Sequence, residues 1–389
     1  MKNKKDSFDN PKIVVPLFIP SISSLDKKSV LQALNDKLLT DGPKLIQFEN
    51  SFSNYVRSKY AVGVSNATSA LHLSLKALGI GKNDEVMVPD LTFVATINAV
   101  LLTGAKPVIV DVDKELMTIS INSILASISN RTKAIIPVHF AGIACDMTKI
   151  MKIAKSKKLF VIEDCAHAIG TKFKNKHVGT FGDSGCFSFY PTKNITTLEG
   201  GMIISKNKTL IDHVRIIRNH GISRSLKDRY SVGYPWDYDI KEPGYNYRLD
   251  EIRSSLGISQ LKQINILNKK RQNAFKYYNK HLKNIDGISI PTGKNIVDNA
   301  CHLYIIRIEK KFPISRNKLF EKFLSSGIRT SVHYKPLHKF PIYRKKGIIR
   351  DKLINSDELY NEILSLPLYP LISKKEQNLV INLIKNEIV

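Results

Sequence analysis

The chain lacks long apolar runs. Stretches such as "LFVI" and "MIIS" are strand-length, well short of the roughly 20 residues a helix needs to cross a bilayer. Its start, "MKNKKDSFDN", is charged and has no apolar segment of about 7–15 residues behind it, so it reads as a polar tail and not a signal peptide. Cysteine is scarce, with four in 389 residues and no CxxC spacing. Cys145, Cys165, Cys186 and Cys301 are expected to be buried thiols in a reducing cytoplasm. Acidic residues are also few, 34 against 60 Lys and Arg, for a formal net charge of +26. That excess would suit nucleic acid, a membrane surface or a small anionic substrate. The lysines, however, are spread along the whole length, with no basic block, basic amphipathic helix or nucleic-acid motif. Nucleic acid and membrane are therefore set aside as partners, and a basic surface that favours small anions remains. GxxxxGK[ST] is absent as well, which excludes a P-loop.

What is present is an α/β grammar. From about residue 45 to 265, short Val/Ile-rich runs alternate with amphipathic ones: "AVGVS", "TSALHLSLKALG", "EVMVPD", "FVATINAVLLTG", "KPVIVDVD", "INSILASI", "KAIIPVHF", "DMTKIMKIAKSKK", "LFVIED". Such alternation predicts a large domain with a mostly parallel sheet sandwiched by helices. A long helix over about 249–285, with Gly257 inside it, links to a different pattern. There "HLYIIRIEKK" and "RTSVHY" read as strands, "SRNKLFEKFLSSG" as a helix, and Ser373-Lys374-Lys375-Glu376 as a capping box. The expected division is a large domain, 1–269 with an N-terminal arm 1–25, and a small C-terminal α+β domain, 270–389.

In parallel sheets ligands collect at the carboxyl ends of strands, which directs attention to the residues just there. "SNATSALHL" sets Ala67, Thr68 and Ser69 at a strand-to-helix turn, where free N–H groups form an anion site; equally, Ser or Thr there is an ordinary cap. "PDLTF" puts Phe93 past a strand end, to stack on a flat ligand or to pack in the core. "LFVIED" ends in Glu163 and Asp164, and a carboxylate so placed needs a cation or a cap. "FSFYPTKNITTLEGG" carries Lys193 at the mouth of a buried strand. A lysine there is ordinarily solvated, but apolar flanks would desolvate it and make the amine a nucleophile for Schiff-base chemistry. An anion site, an aromatic, an Asp and a Lys in that order match the needs of pyridoxal 5'-phosphate.

The ordered set "LTDGPKLIQFENSF", "SNATSALHLSL", "PDLTFVATINAV", "VHFAG", "EDCAHAIG", "FSFYPTKNITTLEGG", "RNHG", "GYNYRLDE", "VHYKPLH" and "LPLYP" resembles the DegT/StrS family of nucleotide-sugar aminotransferases, of the aspartate-aminotransferase-like fold type I. The resemblance implies that Lys193 forms the internal aldimine and moves protons, and that Asp164 pairs with the pyridinium nitrogen. It implies that His167 contacts the ring hydroxyl, that Phe93 stacks, and that Ala67, Thr68 and Ser188 bind the phosphate. Asn246 would reach the phosphate of a neighbouring subunit's cofactor in a homodimer with shared sites. The implied partners are a nucleotide-diphosphate keto-sugar, foremost a 4-keto-6-deoxy sugar, and L-glutamate with 2-oxoglutarate. The implied setting is cytoplasmic synthesis of surface polysaccharide, glycan or antibiotic sugars. His333 and His338 are candidates for the sugar pocket or for structural roles. Sugar 3-dehydratases of similar sequence carry histidine in place of the lysine, so Lys193 favours transamination; a non-catalytic regulatory homologue would lack the lysine or the aspartate. Two departures stand out. Ala67 replaces a common glycine, and Leu198 precedes "EGG" where a small residue is usual.

Overall fold

The computed structural model describes residues 12–223, 234, 236–291 and 298–388; the N-terminal polar tail lies outside them. Helices α1 (Ser24–Leu34) and α2 (Pro43–Val56) lead into β1 (Tyr60–Val64), after which α3 (Ala67–Ala77), β2 (Glu85–Pro89), α4 (Val94–Leu102), β3 (Lys106–Val110), α5 (Ile121–Ser127), β4 (Thr132–Ile135), α6 (Met147–Lys157) and β5 (Phe160–Asp164) alternate. A small hairpin, β6 (Lys172–Phe173) and β7 (Lys176–His177), precedes β8 (Ser184–Ser188), β9 (Gly201–Ser205), α7 (Lys208–Ile217) and the long α8 (Glu251–Leu282). The remainder is β10 (Ile288–Ser289), β11 (Tyr304–Ile308), α9 (Arg316–Ser325), α10 (Pro341–Lys346), β12 (Ile348–Ile349), α11 (Ile354–Glu362), β13 (Ile363–Leu366) and α12 (Lys374–Lys385).

The large sheet has the order β1-β9-β8-β5-β4-β2-β3-β12, with β9 antiparallel to both neighbours and the other pairings parallel. Successive strand residues face opposite sides, so Val62, Val86, Cys186 and Ile203 pack against α3, α4 and α7. Phe187, Met202 and Ile204 meet α2 and α8 on the other side, while Met87 and Val161 meet α6. Burial on both faces explains why these strands read as continuous apolar runs. Gly257, odd inside a long helix, is required by packing: a Cβ there would lie 2.5 Å from a ring carbon of Phe48.

The smaller sheet, β10-β11-β13, is antiparallel, and its core joins Tyr278, Tyr304, Phe323, Leu366 and Ile381. The expected capping box at Ser373 and Glu376 forms. Two segments cross the expected division at residue 270. Val15 packs in the smaller core and bridges Ile328, while β12 adds to the large sheet beside β3. "RTSVHY" is not a strand; within it only Ser331 bridges, to Ser365, because the chain then turns to bring His333 and Tyr334 beside Lys193. No helix among the described residues is long and apolar enough to cross a membrane. All four cysteines are free and buried.

Candidate active site

Register gathers the site at one edge of the large sheet. Gly201 opens β9 opposite both Val64 at the end of β1 and Ser188 at the end of β8, while Asp164 at the end of β5 pairs with Cys186. The turn after β1 is capped by Asn66, whose side chain accepts from the Ser69 amide at 2.8 Å. The Ser69 hydroxyl is held within the turn by Asn66 and Ser65, so it is not free to donate to an anion. The Ala67 and Thr68 amides open α3 with no partner among the described residues, as the first N–H groups of a helix must. Ala67 is helical, with φ outside the left-handed region, so alanine costs nothing where glycine is common. A Cβ on Gly201 would lie 2.5 Å from the Asn66 carbonyl and 2.9 Å from the Ala67 nitrogen. The second glycine of "EGG" therefore lets β9 run directly beneath this turn. Ser188, buried, adds a hydroxyl beside it.

Asp164 is buried, and its carboxylate accepts from Thr96 at 2.9 Å and from the Ala166 amide at 3.1 Å. Burial pushes its pKa up, against those hydrogen bonds and the Lys193 charge. Burial likewise draws the Lys193 amine down to about 8, with Asp164 opposing. Adjacent Glu163 points elsewhere. It accepts from the Gly179, Phe181 and Gly182 amides and from His139, so its partners are structural and not in the Lys193 cleft.

The other candidates divide. His167 accepts from the Ala141 amide through Nδ1 at 3.4 Å, so Nε2 carries its proton and donates to the Tyr334 hydroxyl at 3.2 Å. Burial, then Lys193, holds it well below the ordinary imidazole range. Phe93 caps α4 and is 54 % exposed, its ring tilted against Tyr334 at 5.6 Å; it is not core. His333 lines a small cleft of about 70 Å³ with Lys193, Thr192, His302, Tyr334, Leu17 and Phe18. Burial lowers its pKa to about 4. His338 is not part of that lining; its Nδ1 is 2.6 Å from Asp90 and its Nε2 faces Asp357, and the Asp90 hydrogen bond raises its pKa. Asn246 is exposed and its backbone bridges Asn219, so the single chain does not bring it to Lys193. His302 and Tyr334 escaped the sequence reading. They lie more than 100 residues beyond Lys193, and only "VHYKPLH" hinted at one of them.

Leu198 has φ +68° and is 60 % exposed. The left-handed conformation costs a non-glycine residue about 1–2 kcal/mol, which is why small residues suit this turn. Leu198→Gly should stabilise the protein by about 1 kcal/mol once glycine's extra unfolded-state freedom is subtracted. Thermal unfolding should show a rise of about 1–2 °C for a chain of this size, with cofactor binding unchanged.

An anion cradle, a buried carboxylate and a desolvated lysine at one sheet edge fit pyridoxal 5'-phosphate in their donor chemistry: amides and hydroxyls for phosphate, Asp164 for a protonated ring nitrogen, Lys193 for the aldehyde. Fold and site define a pyridoxal-phosphate-dependent transaminase of fold type I. The chain belongs to the DegT/DnrJ/EryC1/StrS aminotransferase family, whose model matches residues 20–385. It is 43% identical over 373 residues to an uncharacterised protein of Methanocaldococcus jannaschii, covering 95% of this chain and 97% of that one. It is 37% identical over 375 residues to the spore coat polysaccharide biosynthesis protein SpsC of Bacillus subtilis, covering 96% of each. A Streptococcus pneumoniae protein described as a sugar aminotransferase superposes in its PMP form with a TM-score of 0.90 at 29% identity, over 96% of this chain and 98% of that chain. Its PLP form gives a TM-score of 0.88.

Proposed function

We propose that the enzyme moves an amino group from L-glutamate to a keto-sugar carried on a nucleoside diphosphate, foremost a 4-keto-6-deoxy sugar, in cytoplasmic synthesis of a surface polysaccharide, glycan or antibiotic sugar. The observation that carries this reading is Lys193, a desolvated amine that feels the Asp164 charge and lines a cleft with His302, His333 and Tyr334. The similarity to SpsC and to a sugar aminotransferase supports the substrate class.

The bound cofactor supplies an electron sink and an amino-group carrier. The chain's own residues do the rest. The Ala67 and Thr68 amides with Ser188 hold the phosphate end. Asp164, kept in place by Thr96 and Ala166, holds a proton on the ring nitrogen. His167, neutral, orients Tyr334. Lys193 takes a proton from one carbon and returns it to another, which a primary amine with a pKa near 8 does in both directions near neutral pH.

The homodimer with shared sites belongs to the same proposal. Support comes from the exposed Leu31 and Leu34 of α1 with Leu38 and Ile46 beyond it, an apolar surface of the kind that marks an interface, and from exposed Asn246. Sedimentation should then give twice the 43.9 kDa chain mass. The decisive measurement is a panel of keto nucleotide-sugars with glutamate, read by product mass. Amination of a 4-keto-6-deoxy member is expected; if no keto-sugar gains an amine, the substrate class is wrong.

A further inference from the structure

His302 lies beside the site with a hydrogen-bonding polarity that backbone carbonyls impose from a distance. The Ile169 carbonyl can only accept, so Asn268 must turn its Nδ2 to it, at 3.0 Å, leaving Oδ1 as an acceptor. Asn194, the residue after Lys193, donates Nδ2 to that Oδ1 and to the Ala300 carbonyl, both at 2.7 Å. A carbonyl again permits no other orientation. Asn194 Oδ1 therefore faces His302 Nδ1 at 3.1 Å, and Nδ1 must carry the imidazole proton. Nε2 is left with a lone pair, has no partner among the described residues, and belongs to a side chain that lines the cleft holding Lys193.

The relay is rigid. The His302 amide donates to Ala141 and its carbonyl accepts from Arg271. Gly170 (φ +97°) lies so close to Asn268 that a Cβ would stand 2.3 Å from its Nδ2. The neighbouring His167 ring, 4.4 Å away, has the opposite tautomer, with its proton on Nε2 directed at Tyr334. Burial first, then the charges around it, keeps His302 neutral, well below the usual imidazole range.

A fixed lone pair on a side chain that lines the cleft is mismatched to a carboxylate and matched to a hydroxyl. We propose that His302 is a specificity-determining residue for the sugar half of the reaction, its Nε2 accepting a hydrogen bond from a sugar hydroxyl while Asn194 and Asn268 act as positioning residues that hold the tautomer. This rests on the keto-sugar reading above.

Two readouts test it. Nitrogen-15 imidazole spectra of the apoenzyme should show His302 neutral with its proton on Nδ1, and Asn194→Ala should shift it toward the Nε2–H form. In steady state, His302→Phe should raise KM for the keto-sugar by roughly 10- to 100-fold, the range for an unmatched buried hydrogen bond. kcat/KM for glutamate should fall less than about threefold, and His302→Gln, which restores an acceptor, should recover most of the loss. An Nε2–H tautomer in the wild type overturns the assignment. So does an active enzyme whose sugar KM is unchanged in His302→Phe. If the wild type aminates no keto-sugar at all, the functional reading falls and this assignment with it, a result distinguishable because the tautomer is read without substrate.

Discussion

Lys193→Ala should lower transamination by about 10³-fold or more, since it removes the amine proposed both as nucleophile and as the group that moves protons. Turnover of glutamate with a keto-sugar checks this, together with loss of the absorbance band that pyridoxal phosphate develops on reacting with a lysine amine. The fold should survive, because the loop is held by bonds the side chain does not make. The Lys193 amide donates to Tyr190, and Asn194 and Thr196 anchor the chain beyond it. The same residue sets a pH dependence. Only the free amine attacks an aldehyde, and burial places its pKa near 8 instead of the ordinary 10.5. Capture of pyridoxal phosphate by the apoenzyme should therefore accelerate as pH rises, reach half its limiting rate near pH 8, and level off above. A midpoint above 10 would mean that the lysine is solvated.

Asp164→Asn should be nearly as damaging. The substitution keeps the shape, and Thr96 and Ala166 can still hydrogen-bond it, so secondary structure and cofactor loading should persist. What is lost is the negative charge proposed to hold a proton on the ring nitrogen. Breaking a buried ion pair costs about 3–5 kcal/mol, which corresponds to roughly 10²- to 5 × 10³-fold in rate when the pair is needed in the transition state. Single-turnover reaction with glutamate isolates the step. A rate within a few-fold of wild type would remove Asp164 from the role given to it.

Much of the molecule is legible in its sequence because strands buried on both faces spell themselves as Val/Ile runs, and parallel sheets bind at their carboxyl ends. Asp164 and Lys193 are identifiable because a charge ending an apolar strand is costly without a purpose. Leu198 is visible as a departure, though its left-handed φ is not. "RTSVHY" misleads because β-branched residues signal extended chain without saying whether a partner strand is at hand.

The sequence by itself determined the alternating α/β architecture, the strand-to-helix turn at Asn66, the carboxylate and the lysine, since each depends on local pattern. Only the tertiary structure decided how they are completed. Gly201 passes under Asn66 because β9 is inserted antiparallel between β1 and β8. His302 and Tyr334 arrive from the C-terminal third, and His302 takes its tautomer from carbonyls at Ile169 and Ala300. Polarity of that kind is carried along hydrogen bonds between residues distant in the chain, and no local run of letters encodes it.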